Sequence, residues 1–395
     1  MERVEREEDS NSWSAGTHCH SHLTTCLDTD QVNMAILPNI GYAILEKVCN
    51  RFLLCLQRSR DHPLSLILCA REYGRDQRLP WIQVWRAFLS CPHRWKNIVL
   101  CGEALQFRIR DLMIGCKGGF PLLQSFTLSP DEHFDCDAFP DAPRLTKFGL
   151  VYSDNGGIIS HAWLFSLSRL TTFTLAMDGI SSDALQILLE NLHSIQELYF
   201  KASGYTYVPD IYPFPPRCLE HLRVLEAPYP QILQVIKAPS LVELCLETDY
   251  ELYPVGDDGY EMLDFYREVL EAFIEVPSCH LRKFILTEFT LEQAEPLINS
   301  FPDLEELCID DLNGCPCELL GSFDKEPAFT VFPNLRFLTL TYEPYRTEAI
   351  VKALEGILEF RNGIYIGEQS IPLRPLEKII IKHRRHAWSP IPYFL

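Results

Sequence analysis

No stretch of this chain reaches 18 consecutive apolar residues, so no segment has the length and character of a membrane-crossing helix. The opening residues, Met1-Glu2-Arg3-Val4-Glu5-Arg6-Glu7-Glu8, lack the apolar centre of a secretory signal. Basic charge is scarce: 35 Lys and Arg stand against 54 Asp and Glu, for a net charge of −19. A chain this acidic repels a phosphate backbone, which argues against general nucleic-acid binding. The motifs that carry common chemistries are missing as well. There is no Gly-x-x-x-x-Gly-Lys-Ser/Thr, no Gly-x-Ser-x-Gly, no His-Glu-x-x-His and no Gly-x-Gly-x-x-Gly. The expectation is a protein that is not an enzyme and uses no cofactor.

Cysteine is the residue in unexpected supply, at 15. Cys55, Cys69, Cys245 and Cys308 sit inside apolar patterns, where cysteine acts as a small hydrophobe. Together with the missing signal, this predicts free thiols in a reducing cytoplasmic or nuclear compartment. Two clusters look like metal sites and are not read as such. His18-Cys19-His20-Ser21-His22, with Cys26 beyond, has zinc-ligand chemistry but lies in a polar tail with no second ligand pair bracketing a fold. Gly256-Asp257-Asp258-Gly259 lacks the ligand spacing of a calcium loop. Cys315-Pro316-Cys317 is too tight for the usual Cys-x-x-Cys redox pair. No metal is expected.

What the chain does have is a recurring module. In Phe332-Pro333-Asn334-Leu335-Arg336-Phe337-Leu338-Thr339-Leu340, a proline turn leads into Leu-x-x-Leu-x-Leu, and the last three positions alternate with the period of a half-buried strand. The same turn and pattern begin at Phe120, Ala142, Ala238 and Phe301. Without the proline it recurs at Leu170, Ile195, Leu222 and Leu281, and more weakly at Trp95 and Leu376. From Trp95 the anchor-to-anchor steps are 28, 22, 25, 25, 27, 19, 40, 23, 31 and 41 residues. Most lie in or near the range of roughly 20–29 of leucine-rich repeats. Helical patterns fill several gaps, at Ala104–Ile114, Ser182–Leu192, Gln231–Ile236, Glu261–Ile274, Leu291–Phe301 and Glu348–Phe360. Strand then helix, repeated, predicts an α/β leucine-rich-repeat-like solenoid, or horseshoe, with parallel strands on a concave face and helices on a convex one.

The predicted domains are a disordered polar tail over 1–35, a helical N-terminal cap over 36–92, and the repeat array over 93–395. Polar residues follow several strands at Asp131, Ser153, Asp178, Ser203 and Asp249; these are either backbone-bonding groups or ordinary post-strand polar residues. The basic run Lys382-His383-Arg384-Arg385-His386 reads as a solvated end, with nuclear import or acid binding as the alternative.

Strand alternation also names the residues that face the groove. The middle positions are Thr127, Gly149, Thr174, Tyr199, Glu226, Cys245, Ile285, Cys308, Thr339 and Ile380. They are flanked by Glu197, Lys201, Glu243, Glu247, Lys283, Glu306, Asp310, Phe337 and Lys378. Glu243, Glu247, Glu306 and Asp310 lend acidity to the later part of the face; Tyr199 and Phe337 are aromatic anchors of the kind that dominate binding energies. With Glu197 and Thr339, these are the candidate partner-binding residues, and a basic protein segment is the candidate occupant.

Several segments resemble a family. Leu56-Gln57-Arg58-Ser59-Arg60-Asp61-His62-Pro63-Leu64-Ser65-Leu66 and His93-Arg94-Trp95-Lys96-Asn97-Ile98 are similar to stretches of F-box-type proteins abundant in mushroom-forming fungi. The repeats from Phe120 and Ala142 are similar to those that follow in that family. The resemblance spans roughly 50–381. It implies a substrate-recognition subunit of a cullin-type ubiquitin ligase, with a protein substrate in the groove and a Skp-type adaptor held by a three-helix F-box. Leu37-Pro38-Asn39-Ile40 resembles the opening of that box, but its Val-Cys-(Arg/Lys)-x-Trp end is replaced by Val48-Cys49-Asn50-Arg51-Phe52. The alternative is a stand-alone, monomeric repeat scaffold. A three-helix box over 35–60 favours the first reading and a single capping helix the second.

Overall fold

The computed structural model describes residues 26–28, 31–36, 42–69, 78–101, 119–128, 142–151, 168–176, 182–201, 214–228, 231–247, 268–273, 280–287, 301, 303–310, 334–342 and 377–383. They fall in two units, Ser12–Leu222 and Arg223–Leu395. The clusters at His18–His22, 250–260 and Cys315–Cys317 lie outside the described residues, as do the post-strand polar positions and the predicted helices at Ala104–Ile114, 291–300 and Glu348–Phe360.

Where the module begins with proline, its opening turn has a specific cause. Proline presets the backbone for the second position of a β-turn. Accordingly, the Leu123 amide donates to the Phe120 carbonyl at 3.2 Å across Pro121, and the Leu145 amide donates to the Ala142 carbonyl at 3.1 Å across Pro143. The chain leaves the turn extended, and each module then donates to the carbonyl of the one before. The Thr146 amide reaches the Gln124 carbonyl at 3.0 Å, Thr171 reaches Thr146 at 2.9 Å, and Gln196 reaches Thr171 at 2.8 Å.

In the first unit the strands are β1 (Cys26–Asp28), β2 (Gln31–Ile36), β3 (Leu64–Cys69), β4 (Trp95–Cys101), β5 (Ser125–Leu128), β6 (Lys147–Val151), β7 (Thr172–Ala176) and β8 (Glu197–Lys201), with the two-residue β9 (Arg217–Cys218) after them. The sheet order of β1 to β8 follows the sequence. β1 is antiparallel to β2, and every pair from β2 to β8 is parallel. Parallel neighbours require return connections, supplied here by α1 (Tyr42–Arg58) between β2 and β3, α2 (Arg78–Leu89) between β3 and β4, and α3 (Ser182–Asn191) between β7 and β8. α3 buries Leu185, Leu188 and Leu189 at helical spacing. Equivalent side chains stack from strand to strand: Phe126 lies 6.2 Å from Phe148, which lies 6.2 Å from Phe173. Each of these three is buried. Truncating one costs about 3–5 kcal/mol at such a site.

Two expectations change here. The tail predicted over 1–35 contains β1 and most of β2, and the cap predicted over 36–92 contains β3, so the sheet starts well before residue 93. The physical reason is visible in Val32, Met34 and Ile36, which alternate with the period of a strand and are registered with Leu64, Leu66 and Leu68 of β3. The described residues of 31–69 run strand, a 17-residue helix, strand. Cys49, Phe52 and Leu56 form the buried stripe of that helix.

One polar clamp ties this region together. Arg94 is buried, and its side chain reaches back to the end of α1. Its Nε donates to the His62 carbonyl at 3.0 Å, and a terminal nitrogen donates to Ser59 Oγ at 2.5 Å. Ser59 Oγ in turn donates to the Leu56 carbonyl at 2.8 Å. A cation is favoured at a helix C-terminus, where the carbonyl ends of the backbone dipoles gather. Beside the clamp, Trp95 stacks on Phe88 at 4.0 Å and meets Phe120 at 5.3 Å, while Asn97 Nδ2 donates to Ser65 Oγ at 3.0 Å. Arg60 has φ 45°, the left-handed conformation that ends the helix.

The second unit repeats the scheme with β10 (Val224–Ala227), α4 (Gln231–Gln234), β11 (Ile236–Lys237), β12 (Glu243–Glu247), β13 (Lys283–Thr287), β14 (Glu306–Asp310), β15 (Phe337–Tyr342) and β16 (Lys378–His383), and a helix over 268–273. β10, β12, β13, β14, β15 and β16 are neighbours in that order, all parallel. Leu244, Phe284, Leu307 and Leu338 share one buried row, and Leu246, Leu286, Ile309 and Leu340 the next.

Replacing Arg94 with Met keeps the stem but leaves the buried Ser59 Oγ and the part-buried His62 carbonyl short of a donor, a cost of about 1–3 kcal/mol for the buried group. The expected result is a clear drop in the denaturant midpoint for Arg94→Met, only partly recovered in Arg94→Lys, because lysine has no planar fork for two separated acceptors. Arg60→Gly is expected to raise stability by about 0.5–1 kcal/mol by relieving the left-handed backbone.

Candidate functional site

The half-buried faces of the strands are where the sequence placed the candidate residues, and the ladder shows which of them meet. In the second unit one row runs Glu243, Lys283, Glu306, Phe337, Lys378 across β12 to β16. The adjacent row runs Glu226, Cys245, Ile285, Cys308, Thr339, Ile380. Glu247 pairs in register with Thr287, which pairs with Asp310.

The acidic residues are joined by a cation that the charge count alone does not reveal. Lys283 Nζ lies 3.1 Å from Glu243 and 3.9 Å from Glu306, with 30% of its side chain exposed. Burial pulls the Lys283 ammonium down, but the hydrogen bond and charge of Glu243, then the charge of Glu306, outweigh it and hold the lysine above its ordinary value. The row therefore alternates minus, plus, minus before reaching Phe337, which has the Arg336 guanidinium 5.2 Å from its ring centroid. Thr339 is less available than its position suggests: between Cys308 and Ile380 it is only 7% exposed. The neighbouring Cys245 thiol is pushed up by burial, then by the Glu226 and Glu247 carboxylates, so it is a poor nucleophile.

A second charged string lies one residue earlier in each module, outside the positions named as groove-facing. Arg282, Glu305, Arg336 and Glu377 alternate in sign; Glu305 lies 3.8 Å from both Arg282 and Arg336, and Arg336 Nε lies 2.6 Å from Glu377. The signal was present as Arg-Lys-Phe, Glu-Glu-Leu, Arg-Phe-Leu and Glu-Lys-Ile at the four strand starts. It becomes visible only when those starts are stacked.

In the first unit the corresponding row is Val99, Thr127, Gly149, Thr174, Tyr199. Glu197, two residues before Tyr199, accepts a hydrogen bond from Thr172 Oγ1 at 3.0 Å. Gly149 is there because of space: a Cβ on it would lie 2.9 Å from Thr127 Oγ1 and 3.1 Å from Thr127 Cγ2. The row is thus low over Gly149 and rises to the half-buried Tyr199 ring. Among the described residues no group of three or more His, Cys, Asp and Glu is placed to hold a metal. No helix is long and apolar enough to cross a membrane among them.

Short parallel strands in register, several entered by a proline turn and several returned by helices, define a leucine-rich-repeat-like α/β solenoid. No family model and no curated protein matches the chain. Among solved structures, a chain from the crystal structure of the Rad7 and Elc1 complex in yeast is similar over 78% of this chain and 86% of its own length, at 13% identity and a TM-score of 0.38.

Three measurements follow from this geometry. Gly149→Val is expected to destabilise by about 1–3 kcal/mol through overpacking, and adding Thr127→Ala should recover part of the loss in a double-mutant cycle. Lys283→Gln is expected to cost about 0.2–1 kcal/mol for each half-exposed pair. Because folding raises the lysine's proton affinity, that contribution is fully present below the ordinary lysine value of 10.5 and disappears as pH rises through the higher folded value. Wild type and Lys283→Gln should therefore differ in melting temperature at neutral pH and converge at strongly alkaline pH. Thiol-reactive probes should label the exposed Cys218 far faster than Cys245 in the native protein.

Proposed function

We propose that this protein is a protein-recognition module rather than an enzyme, and that its partner is a polypeptide segment laid across the strand faces. The observation that carries the proposal is the registered row Glu243, Lys283, Glu306, Phe337, Lys378: paired charges that select, next to an aromatic ring that anchors. Interfaces draw their energy from a few such aromatic and arginine-rich points and their specificity from the charges around them. The sequence of alternating charges fits a segment with charges of both signs better than a purely basic one, since Lys283 already neutralises part of the acidity.

The module works as a stand-alone repeat scaffold in the reading we favour. What supports this is the strand–helix–strand course among the described residues of 31–69, which is that of one repeat unit around α1. The second reading, a substrate-recognition subunit of a cullin-type ubiquitin ligase, draws on the contact of Arg94 with Ser59 and His62, because it joins the two segments that resemble F-box-type proteins.

Two experiments separate these readings. A photo-crosslinking amino acid at Phe337 or Tyr199 should trap a discrete protein product in cells, whereas the same group at the exposed Arg144 should not; equal labelling at all three positions would overturn the strand-face proposal. Mixed with a purified Skp-type adaptor, the full chain should elute separately on size exclusion. Co-elution at micromolar concentration would install the ligase reading instead.

A further inference from the structure

The first helix pair reverses the charge balance of the rest of the chain. Over 42–62 and 78–90 the sequence has Lys47, Arg51, Arg58, Arg60, Arg78 and Arg86 against two carboxylates, Glu46 and Asp61, in a chain with 35 cations and 54 carboxylates. On α1 the buried stripe of Cys49, Phe52 and Leu56 fixes the helix orientation, which leaves Lys47, Arg51, Leu54 and Arg58 outward. Their spacing of four, three and four residues puts them on one line along the helix. Arg86 of α2, which packs against α1, is exposed as well. No carboxylate among the described residues is ion-paired with Lys47, Arg51, Arg58, Arg60 or Arg86.

An independent feature falls in the same place. Leu54, at 42% exposure, is the large hydrophobic residue that the described surface leaves exposed, and it sits midway along the line of cations. A lone exposed leucine is ordinary; one centred in a cationic stripe on an acidic protein has the anatomy of a small docking surface, an apolar point with a charged rim.

We propose that this α1 face is a second docking site, distinct from the strand faces, and that its occupant is an acidic protein segment carrying an aliphatic or aromatic side chain for Leu54. Charge complementarity selects the sign. The class follows from geometry. An anionic membrane would require the apolar face of α1 to enter the lipid, but that face is spent on the core. A nucleic acid would bring an extended phosphate backbone against a chain of net charge −19, whereas a short acidic segment can meet only the basic patch. Complementary charge also speeds encounter, so the site is expected to be salt-sensitive.

The test is fluorescence anisotropy with the full chain and a labelled twelve-residue probe of alternating Glu-Glu-Leu and Asp-Glu-Phe triplets, at low and physiological salt. The wild type should bind saturably, and Arg51→Glu/Arg58→Glu should weaken binding at least tenfold. Arg51→Gln/Arg58→Gln should give an intermediate loss and Leu54→Ser a several-fold loss, while Arg144→Glu, an exposed cation elsewhere, should leave binding unchanged. Unaltered thermal melts identify variants that fold. The inference is overturned if the probe does not bind, if the Arg51/Arg58 variants or Leu54→Ser bind it as wild type does, or if an all-glutamate probe binds wild type as tightly as the mixed probe. It is also overturned if phosphatidylserine vesicles or duplex DNA bind wild type more tightly than the probe. Because the site is on α1, failure here leaves the strand-face experiments untouched.

Discussion

A strand of four to six residues cannot bury one face by itself, and everything else in this structure answers to that constraint. Each short strand is stable only because the next module presents an identical row of leucine or phenylalanine at the same height. The rows Leu244, Phe284, Leu307, Leu338 and Phe126, Phe148, Phe173 are the result. Register is then not negotiable: a slip of one residue would turn every buried side chain outward. The turns fix where the strands begin, so the registered rows of the outer face come as a consequence of packing on the inner one.

The same registration organises charge. A net charge of −19 suggests a uniformly acidic surface, yet the described groups are arranged locally. Lys283 is held between Glu243 and Glu306, and the string from Arg282 to Glu377 alternates along the strand starts. Each half-exposed pair contributes little to stability, about 0.2–1 kcal/mol, so such strings matter more for which partners fit than for whether the chain folds. Arg94, by contrast, is spent internally, and it links the end of α1 to the start of β4.

Much of the fold was legible because its signals are local. Proline at the second turn position, the in–out alternation of strands and the apolar stripe of the helix at Ser182 each arise within a few residues, and each was placed where the structure has it. The residues of the outer face were legible for the same reason: Glu243, Glu306 and Phe337 do share a row. What escaped were relations between distant residues. The sheet's early start was missed because β2 alternates over only six residues inside a polar, charged neighbourhood. The clamp of Arg94 on Ser59 joins residues 35 apart, and nothing in either segment announces the other.

The sequence by itself determined the module, its approximate period, the parallel α/β class and the inward and outward faces, since backbone preference and hydrophobic periodicity act over single turns and strands. Only the tertiary structure decided which charges meet, that Thr339 is shielded by its neighbours, that Gly149 makes room for Thr127, and which side of α1 is left with cations around Leu54. These depend on distances between modules that lie 19 to 41 residues apart, and such distances exist only once the strands are laid side by side.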